Sequence, residues 1–263
     1  MTVVVSEADT HQLVDELRKH VEGEVRFDKM SRALWSTDAS IYKIDPVGIV
    51  LPKSQNDVIA VLETARSYGV SVLPRGGGTS LAGQTVGESI IIDFSRYMRN
   101  VKEINNEEGW VRTQPGIILD ELNATLAPHG VCFAPDPSTS NRGNVGGALG
   151  NNSCGAHSIM WGKTVDNVYE LDVVLSNGNT ASFGQLSGSS LESKMRIEGL
   201  EGSIYRDLFD ISENNRDEVL ARYPKIQRRV SGYNLDEFVG GRNFNMARFV
   251  VGSEGTLVTV TEA

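Results

Sequence analysis

The stretch from residue 48 to residue 75 constrains the fold most, because it is typical of a strand, a helix and a second strand in immediate succession. "GIVLP" is apolar, "SQNDVIAVLETARSYGV" has helical spacing with Ser54 as N-cap and Gly69 as C-cap, and "SVLPRG" is apolar again. This order predicts a compact βαβ unit. Its second strand runs directly into a loop with four glycines, "PRGGGTSLAGQ" at 74–84.

The rest of the chain alternates between helical and extended patterns. In the first half we predict an amphipathic helix at 7–22, strands at 89–95 and 109–116, and a helix from 118 to Gly130. In the second half we predict a hairpin at 168–184 that turns at Asn177-Gly178, an exposed Gly- and Ser-rich excursion at 184–202, and a helix at 204–224. A strand, a glycine turn and a second strand are predicted at 247–263.

Composition narrows the class of protein. The chain is 40% apolar and 22% charged, as in folded globular proteins, and its net charge of -9 disfavours nucleic acid as a partner. It contains no run of about 18 apolar residues and no signal peptide pattern, so we expect a cytoplasmic protein without a transmembrane segment. Cys132 and Cys154 do not form a metal-binding motif, so we predict no metal site and expect two buried free thiols.

Three glycine-rich segments, at 74–87, 143–155 and 252–255, each adjoin a predicted strand. Ordering a glycine costs roughly 0.5–1 kcal/mol more than ordering an alanine, so such clusters mark tight turns or a close approach of backbone to a ligand. A surface turn explains any one of them, whereas three favour loops that converge on a long ligand. Consecutive backbone N–H groups suit phosphate oxygens, with Arg75, Thr79 and Ser80 nearby, so pyrophosphate is the expected occupant.

The two common nucleotide motifs do not match these segments. A Rossmann fingerprint needs G-x-G-x-x-G at the start of a helix, and "GGGTSLAG" is followed by more loop and a strand. A P-loop needs a glycine five residues before the "GKT" at 162–164, where this chain has His157.

Four stretches, taken in order, resemble another family. "VLPRGGGTSLAGQ", "FAPDPSTSNRGNVGGALGNNSCG", "GKTVDNVYELDVVLSNG" and "VVGSEGTLVTVTEA" are similar to the blocks of the FAD-binding domain of the vanillyl-alcohol oxidase and p-cresol methylhydroxylase flavoproteins. Within it, the chain looks most like bacterial FAD-linked D-2-hydroxyacid dehydrogenases acting on D-lactate, glycolate or D-2-hydroxyglutarate. "RRVSGYNLDEF" at 228–238 and "NNSCGAHS" at 151–158 resemble the long members that carry an iron–sulfur domain.

This resemblance covers roughly residues 35–263 and implies an α+β fold of the p-cresol methylhydroxylase type, with FAD between two subdomains. We expect an N-terminal helical extension at 1–34, a small α/β subdomain at 35–100, and a larger subdomain at 101–263 with an antiparallel sheet flanked by helices. The chain stops inside an alternating apolar run, so we expect a truncated piece that lacks the cap domain and any iron–sulfur domain.

The resemblance also implies a set of FAD-binding residues in four segments. The residues of the first loop, implied to hold the pyrophosphate, are Pro74, Arg75, Gly76, Gly77, Gly78, Thr79, Ser80, Leu81, Gly83 and Gln84. The residues implied on the flavin side are Pro135, Asp136, Ser138, Asn144, Val145, Gly146, Gly147, Asn151, Asn152 and Gly155, with Gly162, Thr164 and Asp166 beside them. The residues implied near the pyrophosphate or adenine are Gly252, Ser253, Glu254, Gly255 and Val258. Asp136 and Asp166 could equally cap turns.

Two further expectations concern single residues. Thr79 stands where some relatives attach FAD through a histidine, so the FAD is expected to be non-covalent. Gly77→Val is expected to abolish FAD binding while the fold is largely kept, because a side chain there would meet phosphate or force a positive φ.

The sequence offers few candidate residues for substrate binding or catalysis. Arg229 could face a substrate carboxylate, although an exposed, solvated arginine is more common. His157 receives no role, and no catalytic base is identified.

The implied function is transfer of a hydride from the Cα of a 2-hydroxy acid to flavin, with electrons passed to a quinone, a cytochrome or an iron–sulfur domain. An oxidase of the same family acting on alcohols or sugar lactones, or a non-catalytic FAD-binding scaffold, are the alternatives. We expect a cytoplasmic location, with peripheral membrane association open for the full-length protein.

Overall fold

The computed structural model describes residues 7–229, 232–240 and 243–263. Residues 1–6 of the predicted N-terminal extension lie outside the described residues, as do Val230 and Ser231 of the "RRVSGYNLDEF" stretch.

The first part of the chain builds a four-stranded sheet with helices packed against it. Its elements are α1 (Glu7–His20), β1 (Glu24–Arg26), α2 (Lys29–Trp35), β2 (Gly48–Leu51), α3 (Gln55–Ser67), β3 (Val72–Arg75) and β4 (Ile90–Asp93). The strand order is β1-β2-β4-β3, with β1 antiparallel to β2 and the other three strands parallel. The predicted βαβ unit is confirmed as β2-α3-β3, and β4 inserts between its two strands.

The caps of α3 form as the sequence predicted. The Ser54 hydroxyl accepts a hydrogen bond from the backbone N–H of Asp57 at 3.3 Å, and Gly69, just beyond the end of the helix, has φ +66°. Apolar residues on one side of α3, among them Val58 and Val61, are fully buried against the sheet. Burial of this face, more than helix propensity, holds α3 in place.

The Asp57 carboxylate ties three segments together. It is almost fully buried and accepts hydrogen bonds from the backbone N–H groups of Glu22, Gly23 and Lys53 at 2.8, 3.0 and 2.8 Å. This joins the turn after α1 to the loop before α3. A buried carboxylate with several such donors stabilises the fold only while it keeps them all.

The second part of the chain is larger. Its elements are β5 (Val101–Asn105), β6 (Trp110–Thr113), α4 (Leu119–Leu126), α5 (Val145–Asn151), α6 (Ser158–Trp161), β7 (Leu171–Val174), β8 (Thr180–Phe183), β9 (Gln185–Leu186), α7 (Gly188–Met195), α8 (Leu200–Asn214), α9 (Arg216–Arg222), β10 (Phe244–Asn245), α10 (Met246–Val250) and β11 (Thr259–Glu262). An antiparallel sheet of order β11-β7-β8 is its centre, and β5-β6 and β9-β10 form two antiparallel pairs.

Two hydrophobic clusters form the main core. One joins α1, α3 and the four-stranded sheet through residues such as Leu13, Val61 and Ile92. The other joins the three-stranded sheet to α4, α5, α8 and α10 through residues such as Leu171 and Tyr205. Val174 of β7 belongs to the first cluster, so the two parts of the chain are in contact there.

The segment at 184–202 is mostly exposed, as predicted, but it is not irregular, since it contains β9, α7 and the start of α8. Ser187 and Ser190 cap α7, with the Ser190 hydroxyl accepting from the Ser187 N–H at 3.1 Å, and Leu191 and Met195 pack against the second cluster. The small residues that suggested a loop are therefore those that start a helix.

Three other local predictions are corrected. Residues 247–250, expected as a strand, lie in α10, because the Asn245 side chain caps the Arg248 N–H at 3.0 Å and starts a helical turn. The second glycine cluster forms α5 instead of a loop beside a strand. Neither thiol is fully buried, since Cys132 is exposed and Cys154 is half-buried.

Candidate cofactor site

A cavity of about 410 Å³ opens between the carboxyl end of β3, the start of α5 and the turn that precedes β11. We call it the first cavity, and we call residues 75–85, which cross its rim, the glycine loop. The predicted cofactor residues on its wall are Pro74, Arg75, Gly76, Gly77, Gly78, Thr79, Ser80, Leu81, Gln84, Ser138, Asn144, Gly146, Gly147, Asn151, Ser253, Glu254, Gly255 and Val258. The three glycine clusters therefore meet at one place.

The glycine loop presents unpaired backbone donors. Within the described chain, no backbone N–H from Gly76 to Leu81 donates a hydrogen bond to another protein group. None of these six residues is buried, and Gly77 and Leu81 are exposed, so water satisfies the donors in the free chain, and a ligand in the first cavity that supplies acceptors can replace that water. Phosphate oxygens are acceptors of this kind.

Arg75, which lies on the cavity wall, also has protein partners. Its guanidinium donates to three backbone carbonyls, those of Trp35 at 3.0 Å, Thr85 at 2.9 Å and Thr37 at 2.8 Å. Burial lowers the pKa of Arg75, while the negative charge of Asp93 opposes that shift. These three hydrogen bonds fix the base of the glycine loop and leave Nε–H and one Nη2–H of Arg75 without a protein partner in the described chain.

The glycine loop lies against the segment before α5. A Cβ added to Gly77 would be 2.2 Å from the Arg142 carbonyl oxygen, and one added to Gly76 would be 3.0 Å from Asn144 Oδ1. The expectation for Gly77→Val is therefore corrected: Gly77 does not have a positive φ, and valine would push apart the protein's own backbone before it met any ligand.

Two buried acceptors on the cavity wall have no partner in the described chain. They are Asn144 Oδ1 and Gln84 Oε1; the amide nitrogen of Asn144 donates to the Gly116 carbonyl, and that of Gln84 donates to Glu254 Oε1 at 3.2 Å. A buried polar atom without a partner costs about 1–3 kcal/mol, which a hydroxyl-bearing ligand would offset. Free N–H donors and orphaned acceptors together match a nucleotide with phosphates and hydroxyl groups.

The start of α5 forms a smooth wall of the first cavity. A Cβ on Gly146 would be 2.8 Å from the Pro115 side chain, whereas a Cβ on Gly147 would have no atom within 4 Å. Gly146 thus allows α5 to pack closely, and Gly147 leaves space inside the cavity.

The turn at 252–255 closes the opposite side. Its backbone is pinned to α5, because Gly252 N donates to Leu149 O at 2.8 Å and Glu254 N donates to Gly150 O at 3.0 Å. Glu254 has φ +54°, which is uncommon for a residue with a side chain and typical of functional turns.

The other predicted cofactor residues do not line the first cavity. They are Gly83, Pro135, Asp136, Val145, Asn152, Gly155, Gly162, Thr164, Asp166 and Gly252. Val145, Thr164 and Asp166 line a second cavity of about 470 Å³, which contacts α5 as well. Asp166 accepts from Lys163 N at 2.9 Å and pairs with Arg248 at 3.0 Å, in agreement with the turn-capping alternative.

Asp136 and Arg229 both have protein partners. Asp136, at φ +50°, pairs with His157 Nδ1 at 3.1 Å. Arg229 is not exposed and solvated, since its side chain is only 13% exposed. It forms an ion pair with Asp236 at 2.7 Å, and its guanidinium lies 4.7 Å from the centre of the Tyr223 ring. Arg229 Nη2 donates to Asp236 and Asn234, whereas Arg229 Nη1 is buried and has no partner in the described chain.

Sequence reasoning missed several residues on the wall of the first cavity. They are Ala82, Thr85, Phe94, Pro115, Leu119, Pro137, Thr139, Gly143, Ala148, Leu149, Gly150, Ser153, Cys154, Val250 and Val260. Many are apolar and have the pattern of ordinary core residues, so no local signal separates them from the core.

The fold is shared with known proteins. The chain superposes on alkyldihydroxyacetonephosphate synthase with a TM-score of 0.66 at 23% identity, over 96% of this chain and 39% of that one. It also superposes on a BBE-like protein of Physcomitrella patens with a TM-score of 0.57 at 20% identity, over 65% of this chain and 37% of that one. The predicted α+β fold of the p-cresol methylhydroxylase type is confirmed.

The family follows from the sequence. Residues 46–184 match the FAD binding domain family, so the chain belongs to that family. It is 37% identical to D-2-hydroxyglutarate dehydrogenase of Pseudomonas putida over the whole of this chain and 27% of that protein. It is 28% identical to glycolate oxidase subunit GlcD of Bacillus subtilis over 92% of this chain and 42% of that protein. The expected similarity to D-2-hydroxyacid dehydrogenases is confirmed.

The chain spans about a quarter of the length of its D-2-hydroxyglutarate dehydrogenase relatives. Among the described residues, no group of His, Cys, Asp and Glu side chains is arranged to hold a metal ion. No helix within 7–229, 232–240 and 243–263 is long and apolar enough to cross a bilayer.

Proposed function

We propose that this chain is the FAD-binding part of a flavin-dependent D-2-hydroxyacid dehydrogenase, with D-2-hydroxyglutarate as the first substrate to test. The observation that carries the cofactor assignment is the row of unpaired N–H groups at 76–81 on the wall of the first cavity. The similarity to D-2-hydroxyglutarate dehydrogenases supports the substrate class.

In this proposal, the residues of the first cavity hold FAD. The N–H groups of Gly76 to Leu81 bind the diphosphate, and Asn144 Oδ1 and Gln84 Oε1 accept hydrogen bonds from hydroxyl groups of the cofactor. Phe94, Leu119 and Val250 exclude water from the cavity floor. Thr79, in place of a histidine, supports a non-covalent cofactor.

The bound flavin would supply the redox chemistry, accepting a hydride from the Cα of a 2-hydroxy acid. This chain's own groups bind and orient the cofactor and shield it from water. Among the described residues, Arg75 is the one basic residue on the wall of the first cavity, and three of its five N–H donors are already bound to backbone carbonyls. We therefore assign capture of the substrate carboxylate, and the base, to further parts of the protein.

Further domains are supported by length, since the relatives are roughly three to four times as long as this chain. We propose that a cap domain completes the substrate site, and that an iron–sulfur domain, a quinone or a cytochrome takes the electrons. The two unpaired cysteines agree with a cytoplasmic location, where thiols stay reduced.

We also propose the predicted boundary near residue 100 between the two FAD-binding subdomains. The first hydrophobic cluster draws its residues from 13–98 and from Val174, and the second draws its fully buried residues from 117–251. The first cavity receives wall residues from both sides of this boundary.

The experiment is titration of the purified chain with FAD and, separately, with riboflavin, which lacks the phosphates. We expect FAD to bind and to raise thermal stability, by up to about 4 kcal/mol at 1,000 times its dissociation constant, and riboflavin to bind at least about 100-fold more weakly. Equal affinities for FAD and riboflavin would contradict diphosphate binding by the glycine loop.

Activity needs the full-length protein. Turnover of D-2-hydroxyglutarate, D-lactate and glycolate with an artificial electron acceptor tests the substrate class. No turnover with any 2-hydroxy acid, in a protein that does hold FAD, would contradict the dehydrogenase proposal and favour the oxidase or scaffold alternatives.

A further inference from the structure

One of the two free thiols of this chain lies on the wall of the first cavity. It belongs to Cys154, which is half-buried. The other thiol, that of Cys132, is exposed and lies on the wall of the second cavity. The sequence assigned no role to either of them. Of the two thiols, only Cys154 therefore shares a cavity with the proposed cofactor.

A separate feature of the same wall indicates a ligand beside Cys154. Asn144 is 1% exposed, and its Oδ1 is buried without a partner in the described chain. Asn144 immediately precedes α5 and Cys154 follows shortly after it, so the two residues flank the part of the wall that α5 forms. A buried acceptor of this kind is stabilised by a ligand that donates a hydrogen bond to it.

The backbone on both sides of Cys154 is held in place. The N–H of Ser153 donates to the Ala148 carbonyl at 2.9 Å. A Cβ added to Gly155 would be 1.7 Å from the Asp136 carbonyl oxygen, so the chain is closely packed there. These contacts fix Cys154 on the wall. A group attached to its sulfur therefore takes up space in the first cavity.

A free thiol in an open cavity can exchange with a small disulfide. The Cys154 thiolate attacks one sulfur of the disulfide, a new S–S bond forms, the original S–S bond breaks, and the other half leaves as a thiolate. Cys154 is oxidised and the disulfide is reduced, so the reaction needs no further oxidant. An excess of free thiol reverses it.

We propose that Cys154 is a site of reversible mixed-disulfide formation, and that the attached group excludes FAD from the first cavity. This inference rests on the proposed function, because it concerns the loading of the same site. Bound FAD covers the thiol, and the modified thiol keeps FAD out. The chain is thus loaded with cofactor while small thiols prevail and kept empty while small disulfides prevail.

The first experiment follows the reaction of the reduced chain with glutathione disulfide, by mass spectrometry of its peptides, with and without FAD. At about 100 times its dissociation constant FAD leaves about 1% of the chain free, so modification of Cys154 should be about 100-fold slower. Cys132 is the matched control, because it is exposed and outside the first cavity. Its modification rate should not change.

The second experiment titrates the modified chain with FAD after the reagent is removed. The dissociation constant should rise at least about tenfold, and dithiothreitol should restore it. Cys132→Ser should lose affinity on treatment as the unaltered chain does. Cys154→Ser should have the same affinity before and after treatment. Urea unfolding of the treated chain distinguishes a blocked site from an unfolded protein.

The two experiments separate failure of this inference from failure of the proposed function. A reduced, untreated chain that does not bind FAD would contradict the proposed function itself. In a chain that does bind FAD, three outcomes would overturn the role of Cys154. They are a modification rate of Cys154 that FAD leaves unchanged, a modified chain that binds FAD as tightly as the reduced one, and a modification that acts by unfolding the chain.

Discussion

The substitution Gly147→Ala is expected to stabilise the chain without FAD and to weaken FAD binding, so it tests the two properties separately. A Cβ at this position would have no atom within 4 Å, and Gly147 is not among the residues with positive φ. Alanine in place of glycine inside a helix is worth roughly 0.5–1 kcal/mol. The FAD-free variant is therefore expected to unfold at a higher urea concentration than the unaltered chain.

The same methyl group would stand in space that we assign to the cofactor. An extra methyl group in a well-packed contact costs about 1–3 kcal/mol, which corresponds to a rise of about 5- to 150-fold in the dissociation constant. Quenching of flavin fluorescence during titration measures this constant. Stability and affinity should thus change in opposite directions, which a general weakening of the fold cannot produce.

Gly184→Ala is the matched control for this measurement. Its added Cβ would meet only ordinary contacts, the nearest at 3.6 Å from Tyr169 O, and Gly184 does not line the first cavity. It should leave FAD affinity unchanged. A Gly147→Ala protein that gains stability and binds FAD as tightly as before would refute the assignment of this wall to the cofactor.

The remaining predictions concern the parts of the fold that support the site. Arg75→Ala should lower the free energy of unfolding of the chain without FAD by about 3 kcal/mol, because three carbonyls lose a charged donor. An unchanged urea unfolding curve would show that Arg75 does not stabilise the fold. Asp57→Asn should cost about 2 kcal/mol in the same assay, against no change for the exposed Asp15→Asn, and equal effects would contradict the role of the three N–H bonds. The hydrogen bond from the Tyr97 hydroxyl lowers the pKa of Glu24 below its ordinary value. The charged Glu24 carboxylate therefore stabilises the fold at pH values above the pKa that Glu24 has in the unfolded chain. This stabilisation is lost as the pH falls through the lower pKa of the folded chain. Tyr97→Phe should therefore destabilise the protein at pH 7 and much less near about pH 3, whereas an equal loss at both values would contradict this linkage.

Local sequence patterns predicted the elements that depend on local physics. The βαβ unit at 48–75 was predictable because the helix caps and the apolar runs lie next to each other in the chain. The Asn177-Gly178 hairpin was predictable because Gly178 accepts φ +88°. The four motifs predicted the family because their order and residue types are specific.

Other features depend on contacts that the local pattern does not contain. The three carbonyls that bind Arg75 belong to residues as far away as Trp35, and their position is set by the tertiary fold. Gly146 and Gly147 have the composition of a loop but lie in α5, and the absence of a side chain at Gly146 allows this helix to pack closely against Pro115. The apolar floor of the first cavity cannot be told from the core by pattern, because both are buried for the same reason.

The most direct test of the account is amide hydrogen exchange of the chain with and without saturating FAD. The free N–H groups of Gly76 to Leu81 should exchange rapidly without FAD and be protected when it binds. The β5–β6 pair, none of whose residues lines the first cavity, should not change. Visible absorbance of the same sample establishes that FAD is bound. Bound FAD with unaltered exchange at 76–81 would show that the glycine loop does not hold the diphosphate.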